Sequence, residues 1–404
     1  MRVRLPAVFI CLSLTAIVSV KSTAQWTRTS FPSTDVRYFA VDSLTILAAS
    51  GNSVYASSDT GRTWIPIYSN ALHYVVNTVA IKDSDFFAGT SADGLYRSTD
   101  RGVTWNSVGL GISNNNVMSL MADSTYVYAG AKNAVLVSSN NGNTWGYFMG
   151  GLTGQPVYSM AASDTSFYAA TLSRGIFRST TNTSQTLEDS GLTNIHTFAI
   201  AARDSSLFTG TDGGGIFISS DGGTSWLAAD SGMSDTVVFW ILPVASAVFA
   251  GTEGHAVFLS TDGAATWFAA NSGITDKYGY ALTTFGGYLF VGTEGGIWKR
   301  PISQLITAAS DRRDILPDGF KLSQNYPNPF NPSTTIHFEL PKQSQVRLDL
   351  FNMLGQSVMQ VLDEKRQAGV YDVQIRAGNL SSGMYFYRLT AGDFVQTKKM
   401  VLMK

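Results

Sequence analysis

The chain has 404 residues with 28 Lys and Arg against 29 Asp and Glu, a formal net charge of −1. Only 14% of the residues are charged, so the chain lacks the basic excess of a nucleic-acid-binding protein. A hydrophobic fraction of 44% and an aromatic fraction of 12% also argue against disorder. The 38 glycines and the lack of long helical periodicity predict an all-β protein of many short strands.

Residues 1–24 are predicted to be a secretory signal peptide. "MRVR" is a cationic start, and "LPAVFICLSLTAIVSV" is an apolar run that is short for a membrane span. Small residues at Ser22 and Ala24 favour cleavage before Gln25. The only cysteine, Cys11, lies in this segment. We therefore expect a mature chain with no disulfide and no transmembrane segment.

An octapeptide of the form Ser-x-Asp-x-Gly-x-Thr-Trp recurs along the next part of the chain. An eroded copy, "STTNTSQT", interrupts the series, and successive starts differ by 41, 40, 41, 40 and 41 residues. A fixed period near 40 is typical of a repeat architecture. The copies begin at Ser57, Ser98, Ser138, Ser179 (the eroded one), Ser219 and Ser260.

Two further markers keep the same period and occur seven times. One is a small-residue turn such as "FAGT", which ends at Thr90 in the second repeat. The other is a strand in which a large apolar residue is followed by a residue that is small in most repeats. Each repeat therefore holds about four short strands, the content of one propeller blade. The sequence predicts a seven-bladed β-propeller over residues 25–303.

The two ends of the repeat region complement each other. The last repeat stops after "GGIWKRPIS" without its tryptophan strand, whereas the first is preceded by a surplus one, "QWTRTS". We expect this N-terminal strand to complete the seventh blade, with Trp26 at the position of an octapeptide tryptophan. Such closure removes an open sheet edge.

The octapeptide resembles the Asp-box, or BNR, repeat of sialidase-like, sortilin-like and photosystem II assembly factor-like propellers. The resemblance implies a hairpin between the third and fourth strands, on the face opposite the ligand. In it the aspartate accepts turn amides, the glycine takes positive φ and the tryptophan packs between blades. We therefore expect structural roles for the matching residues, and the weakest hairpin in blade four. They are Asp59, Trp64, Asp100, Trp105, Asn140, Trp145, Asp221, Trp226, Asp262 and Trp267.

After Arg300 the repeat pattern of the sequence ends. Residues 304–321 are predicted to be a linker, and residues 322–404 a small antiparallel β-sandwich with Ig-like character. This last region resembles the type A C-terminal sorting domain of the type IX secretion system. The resemblance is carried by "VRLDLFNMLGQ", "LSSGMYFYRL", "KKMVLMK" and a proline motif. The motif residues are Asn325, Tyr326, Pro327, Asn328, Pro329 and Phe330.

That resemblance implies Sec export and then type IX translocation in a Gram-negative bacterium. The protein is expected to be secreted or held at the outer-membrane surface, with the secretion machinery as a partner through residues 322–404. We expect the chain to be a monomer and to bind no nucleic acid.

We call the face that carries the octapeptide hairpins the bottom face and the opposite one the top face. Because the resemblance places the ligand opposite the hairpins, functional residues are expected in the loops of the top face. Three acids occupy one repeat position there on blades five, six and seven, and they are the candidate catalytic residues: Asp212, Glu253 and Glu294. A solvated turn acid is the alternative interpretation of each. Other chemistry-bearing residues expected in top loops are Asp35, His73, His196, His255, Asp276, Lys277 and Tyr278.

The arginine triad and Tyr–Glu pair of sialidases are not visible, and no histidines have tight metal-ligand spacing. We expect no cofactor and no metal. Two hypotheses remain: a non-enzymatic scaffold that binds protein or glycan, or a glycoside hydrolase that uses top-face carboxylates. Aromatic residues of one inner-strand position favour the first by offering stacking faces near the channel mouth. They are Tyr158, Phe198, Phe239 and Tyr280.

Overall fold

The structure of the protein is a computed structural model. It describes residues 25–69, 74–111, 116–150, 152, 155–163, 165–181, 184–313, 319–325, 328–366, 369–378 and 380–403. The predicted signal peptide and the residues His73, Tyr326 and Pro327 lie outside the described residues.

Seven four-stranded antiparallel sheets follow one another along residues 27–301, and in six of them the strand order equals the chain order. This is the seven-bladed β-propeller that the sequence predicts. Blade one holds β2 (Val36–Val41), β3 (Ile46–Ser50), β4 (Ser53–Ser57) and β5 (Ile65–Ser69). Blade two holds β6 (Val76–Lys82), β7 (Asp85–Thr90), β8 (Leu95–Ser98) and β9 (Asn106–Val108). Blade three holds β10 (Val117–Ala122), β11 (Val127–Ala131), β12 (Ala134–Ser138) and β13 (Gly146–Met149).

The later blades repeat this plan. Blade four holds β14 (Val157–Ala162), β15 (Phe167–Thr171), β16 (Gly175–Thr181) and β17 (Ser184–Glu188). Blade five holds β18 (Thr197–Arg203), β19 (Ser206–Thr211), β20 (Ile216–Ser219) and β21 (Leu227–Ala228). Blade six holds β22 (Val238–Val244), β23 (Ala247–Thr252), β24 (Ala256–Ser260) and β25 (Phe268–Ala269). Blade seven holds β26 (Gly279–Phe285), β27 (Tyr288–Thr293), β28 (Gly296–Pro301) and the N-terminal β1 (Thr27–Arg28).

The ring is closed by the N-terminal strand, as predicted. β1 pairs with β28 through Thr27 opposite Lys299, and the inner strand β26 contacts the inner strand β2. Trp26 donates its Nε1–H to Ala270 O at 2.6 Å and its backbone N–H to Ser272 O at 3.1 Å. Trp267, one blade earlier, makes the equivalent bonds to the blade before it. The closing strand therefore repeats the contacts between ordinary blades.

The interfaces between blades are apolar on both sides. The second strand of each blade is buried along nearly its whole length, because it is covered by a neighbouring blade on each face. In the cluster shared by blades two and three, the large Phe87 lies with the small Ala129. In the cluster shared by blades seven and one, the large Phe290 lies with the small Ala48. This large-to-small packing is what the alternating inner-strand pattern predicts.

The predicted linker begins with a helix that sequence reasoning missed, α1 (Ile302–Arg313). Leu305 of α1 is 2% exposed and belongs to the apolar cluster of blades six and seven. Sequence reasoning missed the helix because its large apolar residues, Ile302, Leu305 and Ile306, form too short a run to establish a helical period. Among the residues that the structure describes, no helix is long and apolar enough to cross a membrane.

The C-terminal region is an antiparallel β-sandwich. One sheet has the order β29 (Lys321–Leu322), β30 (Ser333–Leu340), β33 (Gly369–Arg376). The other has the order β32 (Ser357–Arg366), β31 (Ser344–Phe351), β34 (Gly383–Ala391), β35 (Phe394–Leu402). Both sheets contribute alternate residues to one core, including Ile336, Leu348 and Tyr387.

Candidate functional site: the top face of the propeller

The bottom face is formed by the octapeptide hairpins, in which each acidic side chain bonds within its own turn. In the second blade Asp100 Oδ1 accepts the Ser98 hydroxyl at 2.7 Å and the Thr104 amide at 2.8 Å. Its Oδ2 accepts the Thr104 hydroxyl at 2.6 Å. The same network surrounds Asp59, Asp221 and Asp262. These carboxylates have few lone pairs left for a ligand.

Asn140 shows that the hairpin needs hydrogen-bond geometry rather than negative charge. Its Oδ1 accepts the Ser138 hydroxyl and the Thr144 amide at 2.9 Å, and its Nδ2 donates to Thr144 Oγ1 at 2.9 Å. In the aspartate versions, the hydroxyl and amide of the residue four positions on lower the carboxyl pKa. The pKa falls to about 2 at Asp100 and Asp221.

The fifth residue of the octapeptide lies against the preceding blade with positive φ. Gly102 has φ of 94°, and a Cβ there would be 2.6 Å from Ile67 Cδ1. Its amide donates to the buried Ser98 Oγ at 2.7 Å. In blade six Ala264 takes this position with φ of 74° and is 1% exposed. The tryptophans Trp64, Trp226 and Trp267 are buried between blades, whereas Trp105 and Trp145 are only partly buried.

At the opposite, top end of each inner strand the sheet carries a β-bulge. The register between the first and second strands shifts by one residue in all seven blades. A bulge inserts one unpaired residue and redirects its side chain. We call these residues the rim column: Arg37, Asn77, Met118, Tyr158, Phe198, Phe239 and Tyr280.

Four consecutive members of the rim column are aromatic and touch one another across blade boundaries. Ring centroids are 5.6 Å apart for Tyr158 and Phe198, 5.8 Å for Phe198 and Phe239, and 5.4 Å for Phe239 and Tyr280. Tyr278 extends the series by stacking on Tyr280 at 5.7 Å with an interplanar angle of 11°. All five side chains are partly exposed. We call them the aromatic arc.

The other three blades have non-aromatic residues at the same rim position. The Arg37 guanidinium lies 5.5 Å from the ring centroid of Tyr280 and pairs with Asp35 at 2.9 Å. Asn77 donates to Asn116 Oδ1 and to Val117 O, and it contacts Met118 Sδ. The rim is therefore divided into an aromatic half in blades four to seven and a mixed half in blades one to three.

One residue further down the inner strands, two large side chains cross the central channel. Tyr38 of blade one packs edge-on against Trp240 of blade six at 4.8 Å, and its hydroxyl donates to Leu120 O of blade three at 3.0 Å. Burial raises the pKa of Tyr38 to about 12. Because neither partner belongs to an adjacent blade, the pair spans the channel and forms a floor beneath the arc.

The three candidate acids occupy equivalent turns but have different surroundings. The backbone amides of Asp212 and Glu253 bond within their own blades, to His196 O and Val237 O just before β18 and β22. Asp212 also forms a β-bridge with Val237 at the start of blade six. The Glu253 carboxylate lies beside the Tyr278 phenol and, by its charge, raises the pKa of that phenol. Glu294 accepts the amides of Lys277 and Tyr278 at 2.8 and 2.9 Å. The structure thus associates Glu253 and Glu294 with Tyr278, and Asp212 with the neighbouring blade.

Two loop acids near these turns have partners inside the fold. Asp276, a candidate from the sequence, accepts the Thr293 hydroxyl at 2.6 Å and Trp298 Nε1–H at 2.8 Å. Asp235, which sequence reasoning missed, accepts the Thr252 hydroxyl at 2.8 Å and contacts His255 Nδ1 at 2.7 Å. The shared 41-residue spacing could have revealed Asp235 as the counterpart of Asp276. Among the described residues, no group of three or more His, Cys, Asp or Glu residues could hold a metal ion.

Residues 324–403 match the family model described as the secretion system C-terminal sorting domain. No curated protein matches the chain. The fold resembles several solved structures. One is PorZ, an essential bacterial surface component of the type IX secretion system of Porphyromonas gingivalis, with 15% identity and a TM-score of 0.52. That match covers 91% of this chain, which spans only 59% of the PorZ chain.

Two other solved structures match the propeller. YCF48 bound to D1 peptide has 15% identity and a TM-score of 0.56, over 69% of this chain and 97% of that one. The GH74 xyloglucanase from Xanthomonas campestris has 16% identity and a TM-score of 0.51, over 64% of this chain and 50% of that one. At such identities the likeness establishes the fold alone. The chain is a seven-bladed β-propeller fused to a type IX secretion sorting domain, which directs it to the cell surface or the extracellular space.

Proposed function

We propose that the propeller is a non-enzymatic binding scaffold that takes a protein or glycan ligand on its top face, at the aromatic arc. The observation that carries this proposal is the run of contacting, partly exposed rings on four consecutive blades. Aromatic rings bury a large apolar area and have few rotatable bonds, so they dominate the affinity of many binding surfaces. The YCF48 propeller with its bound peptide offers a precedent for the fold.

The floor beneath the arc supports a surface site rather than a through-channel. Tyr38 and Trp240 meet across the channel below the rim, so a ligand on the arc would lie above an apolar base. Glu253 and the Tyr278 hydroxyl stand at its edge and offer hydrogen bonds to a polar group of the ligand. An apolar base with a few polar groups at its margin is the usual composition of a recognition site.

The proposal includes the domain limits and the roles that go with them. Residues 25–303 form the binding module, 304–321 connect it, and 322–404 serve as the sorting address after removal of a signal peptide at 1–24. The octapeptide aspartates act as hairpin supports, which is consistent with their saturated hydrogen bonding.

The proposal is tested by measuring equilibrium binding of the purified chain to a panel of soluble polysaccharides and an array of peptides. We expect at least one member of the panel to bind the wild-type chain. Phe239→Ala should weaken that binding by about tenfold or more, because it removes the central ring of the arc. Unchanged affinity in the variant would contradict a role for the arc.

A glycoside hydrolase is the second candidate, favoured by the carboxylates beside the arc and by the likeness to a GH74 xyloglucanase. The bonding of Glu294 counts against it. Both its oxygens accept backbone amides of the loop before β26, so they are engaged within the fold rather than free to meet a glycosidic bond. Assays with polysaccharides and aryl glycosides distinguish the candidates. Turnover that Glu253→Gln or Glu294→Gln abolishes would replace the binding proposal with the hydrolase.

A further inference from the structure

The sorting domain exposes its large apolar side chains unevenly. Met353 is 70% exposed, Leu354 83% and Met403 58%, while Val358 and Met384 are 37% and 38% exposed. Five of the six exposed large apolar residues that the structure describes after residue 319 belong to this set, and Val395 is the sixth. Exposed apolar side chains do not stabilise a folded domain, so a cluster of them points to an interaction site.

Strand register places these five residues at one end of the four-stranded sheet. Phe351, the last residue of β31, is opposite Ser357 at the start of β32 and Phe386 in β34. Gly383 at the start of β34 is opposite Leu402 at the end of β35. Val395 follows the hairpin at the other end, where it pairs with Thr390. We call the set Met353, Leu354, Val358, Met384 and Met403 the apolar end.

The most exposed pair is held on a rigid turn. Asn352 Oδ1 accepts the amides of Leu354 and Gln356, both at 3.0 Å, and its Nδ2 donates to Gln356 Oε1 at 2.8 Å. The backbone groups of Asn352 also bond to those of Gly355 and Gln356. The turn is therefore closed by five hydrogen bonds while it points two large apolar side chains outward. Preorganisation of this kind lowers the entropic cost of binding.

Four stretches that are far apart in the sequence meet at this end. The proline motif is joined to the last strand: Phe330 N donates to Val401 O at 2.9 Å and Met403 N donates to Phe330 O at 3.0 Å. Asn328 Oδ1 accepts the Val401 amide at 2.9 Å. The other stretches contribute Met353 and Leu354, Met384, and Met403. The proline motif therefore supports the same end of the sheet at which the exposed residues lie.

We propose that the apolar end is the docking surface by which the sorting domain is read, and that its occupant is an apolar recess on a protein of the type IX secretion machinery. The proposal rests on the sorting role of residues 322–404. Three of its five residues are methionines, whose flexible thioethers adapt well to a protein recess. A protein partner is favoured because residues 324–403 match a sorting domain, and the neutral amides of Asn352 and Gln356 flank the exposed pair.

The test is a secretion assay of the full chain in cells with an active type IX system. The double variant Met353→Ser/Leu354→Ser should lower the secreted fraction about tenfold or more, with accumulation in the periplasm. Met403→Ser, at the same end but directly after β35, should lower it in the same direction. Val395→Ser is the matched control and should be secreted like the wild type, because Val395 is exposed at the opposite end.

Thermal unfolding of each purified full-length variant shows whether lost secretion reflects lost folding. The proposal requires the double variant to melt like the wild type while it fails to be secreted. Normal secretion of the double variant, or an equal defect in Val395→Ser, would overturn it. So would binding of the purified chain to phosphatidylcholine vesicles that the double variant loses, since that assigns the surface to lipid. Normal secretion after deletion of residues 322–404 would instead refute the sorting role itself.

Discussion

The two faces of the propeller use their repeated positions in different ways. At the bottom, five of the seven blades have a serine, then an aspartate or asparagine, and then a tryptophan at the same positions of the turn. The aspartate or asparagine side chain forms hydrogen bonds within its own hairpin. At the top, one bulged position changes from arginine, asparagine and methionine to four contiguous aromatic residues. A position that supports the fold needs similar chemistry in every blade, whereas a position that meets a ligand does not.

The largest effect is expected when a side chain is placed at the glycine position of one bottom hairpin. Gly102→Ala places a Cβ at 2.6 Å from Ile67 Cδ1, in a residue with φ of 94°. We expect a loss of about 2–4 kcal/mol in the free energy of unfolding, since strain and overpacking add. Urea denaturation measures it. Ala264→Gly is the reciprocal control and should change stability by less than about 1 kcal/mol.

The serine that begins each octapeptide should matter nearly as much. Ser98 is 0% exposed, and its Oγ accepts the buried Gly102 amide at 2.7 Å. Ser98→Ala leaves that amide without an acceptor, so we expect a loss of about 1–3 kcal/mol. Ser107→Ala, on the exposed outer strand of the same blade, is the control. Equal stability of the two variants would remove the structural reason for the repeated serine.

Substitutions in the aromatic arc should cost less stability than those in the hairpins. Phe239 is only partly buried, and its main contacts are ring contacts with Phe198 and Tyr280. Phe239→Ala should therefore lower the free energy of unfolding by about 1 kcal/mol. A loss as large as that of Gly102→Ala would show that the arc is part of the core, and the two faces would then not differ in role.

The smallest effect expected is on acid stability. Hydrogen bonds lower the folded-state pKa of Asp100 and Asp221 from the ordinary value of 3.8 to about 2. Their stabilising contribution is complete above the unfolded-state pKa and is lost as the pH falls from about 4 toward 2. Asp100→Asn should keep the turn, as Asn140 does, and make stability less sensitive to acid over that range. Denaturation curves at several pH values measure how stability depends on pH. The same dependence in Asp100→Asn as in the wild type would contradict this account.

Much of the fold could be predicted because sequence markers that are weak alone become reliable when they recur in every repeat. Seven copies fixed the blade count, and the surplus Trp26 strand predicted the closure that β1 makes with β28. The bulge could not be predicted from the sequence. All seven repeats contain the extra residue, so their lengths do not reveal it. Neither was the floor, because Tyr38 meets Leu120 and Trp240 of non-adjacent blades.

The candidate site was predicted in part for the same reason. The aromatic position stood out as a column, but only the structure brings Tyr278 onto Tyr280 and completes the arc. The acid column was also visible in the sequence. Its unequal chemistry was not, because the capture of Glu294 by the amides of Lys277 and Tyr278 depends on loop conformation.

The most direct test of the aromatic arc as a ligand site compares the two halves of the rim within one binding experiment. The double variants Phe198→Ala/Phe239→Ala and Asn77→Ala/Met118→Ala alter the same bulged position in opposite halves. With the polysaccharide or peptide that binds the wild-type chain, affinity should fall by about tenfold or more in the aromatic variant and stay near wild type in the other. Equal losses in both variants, or a loss confined to the mixed half, would contradict the account.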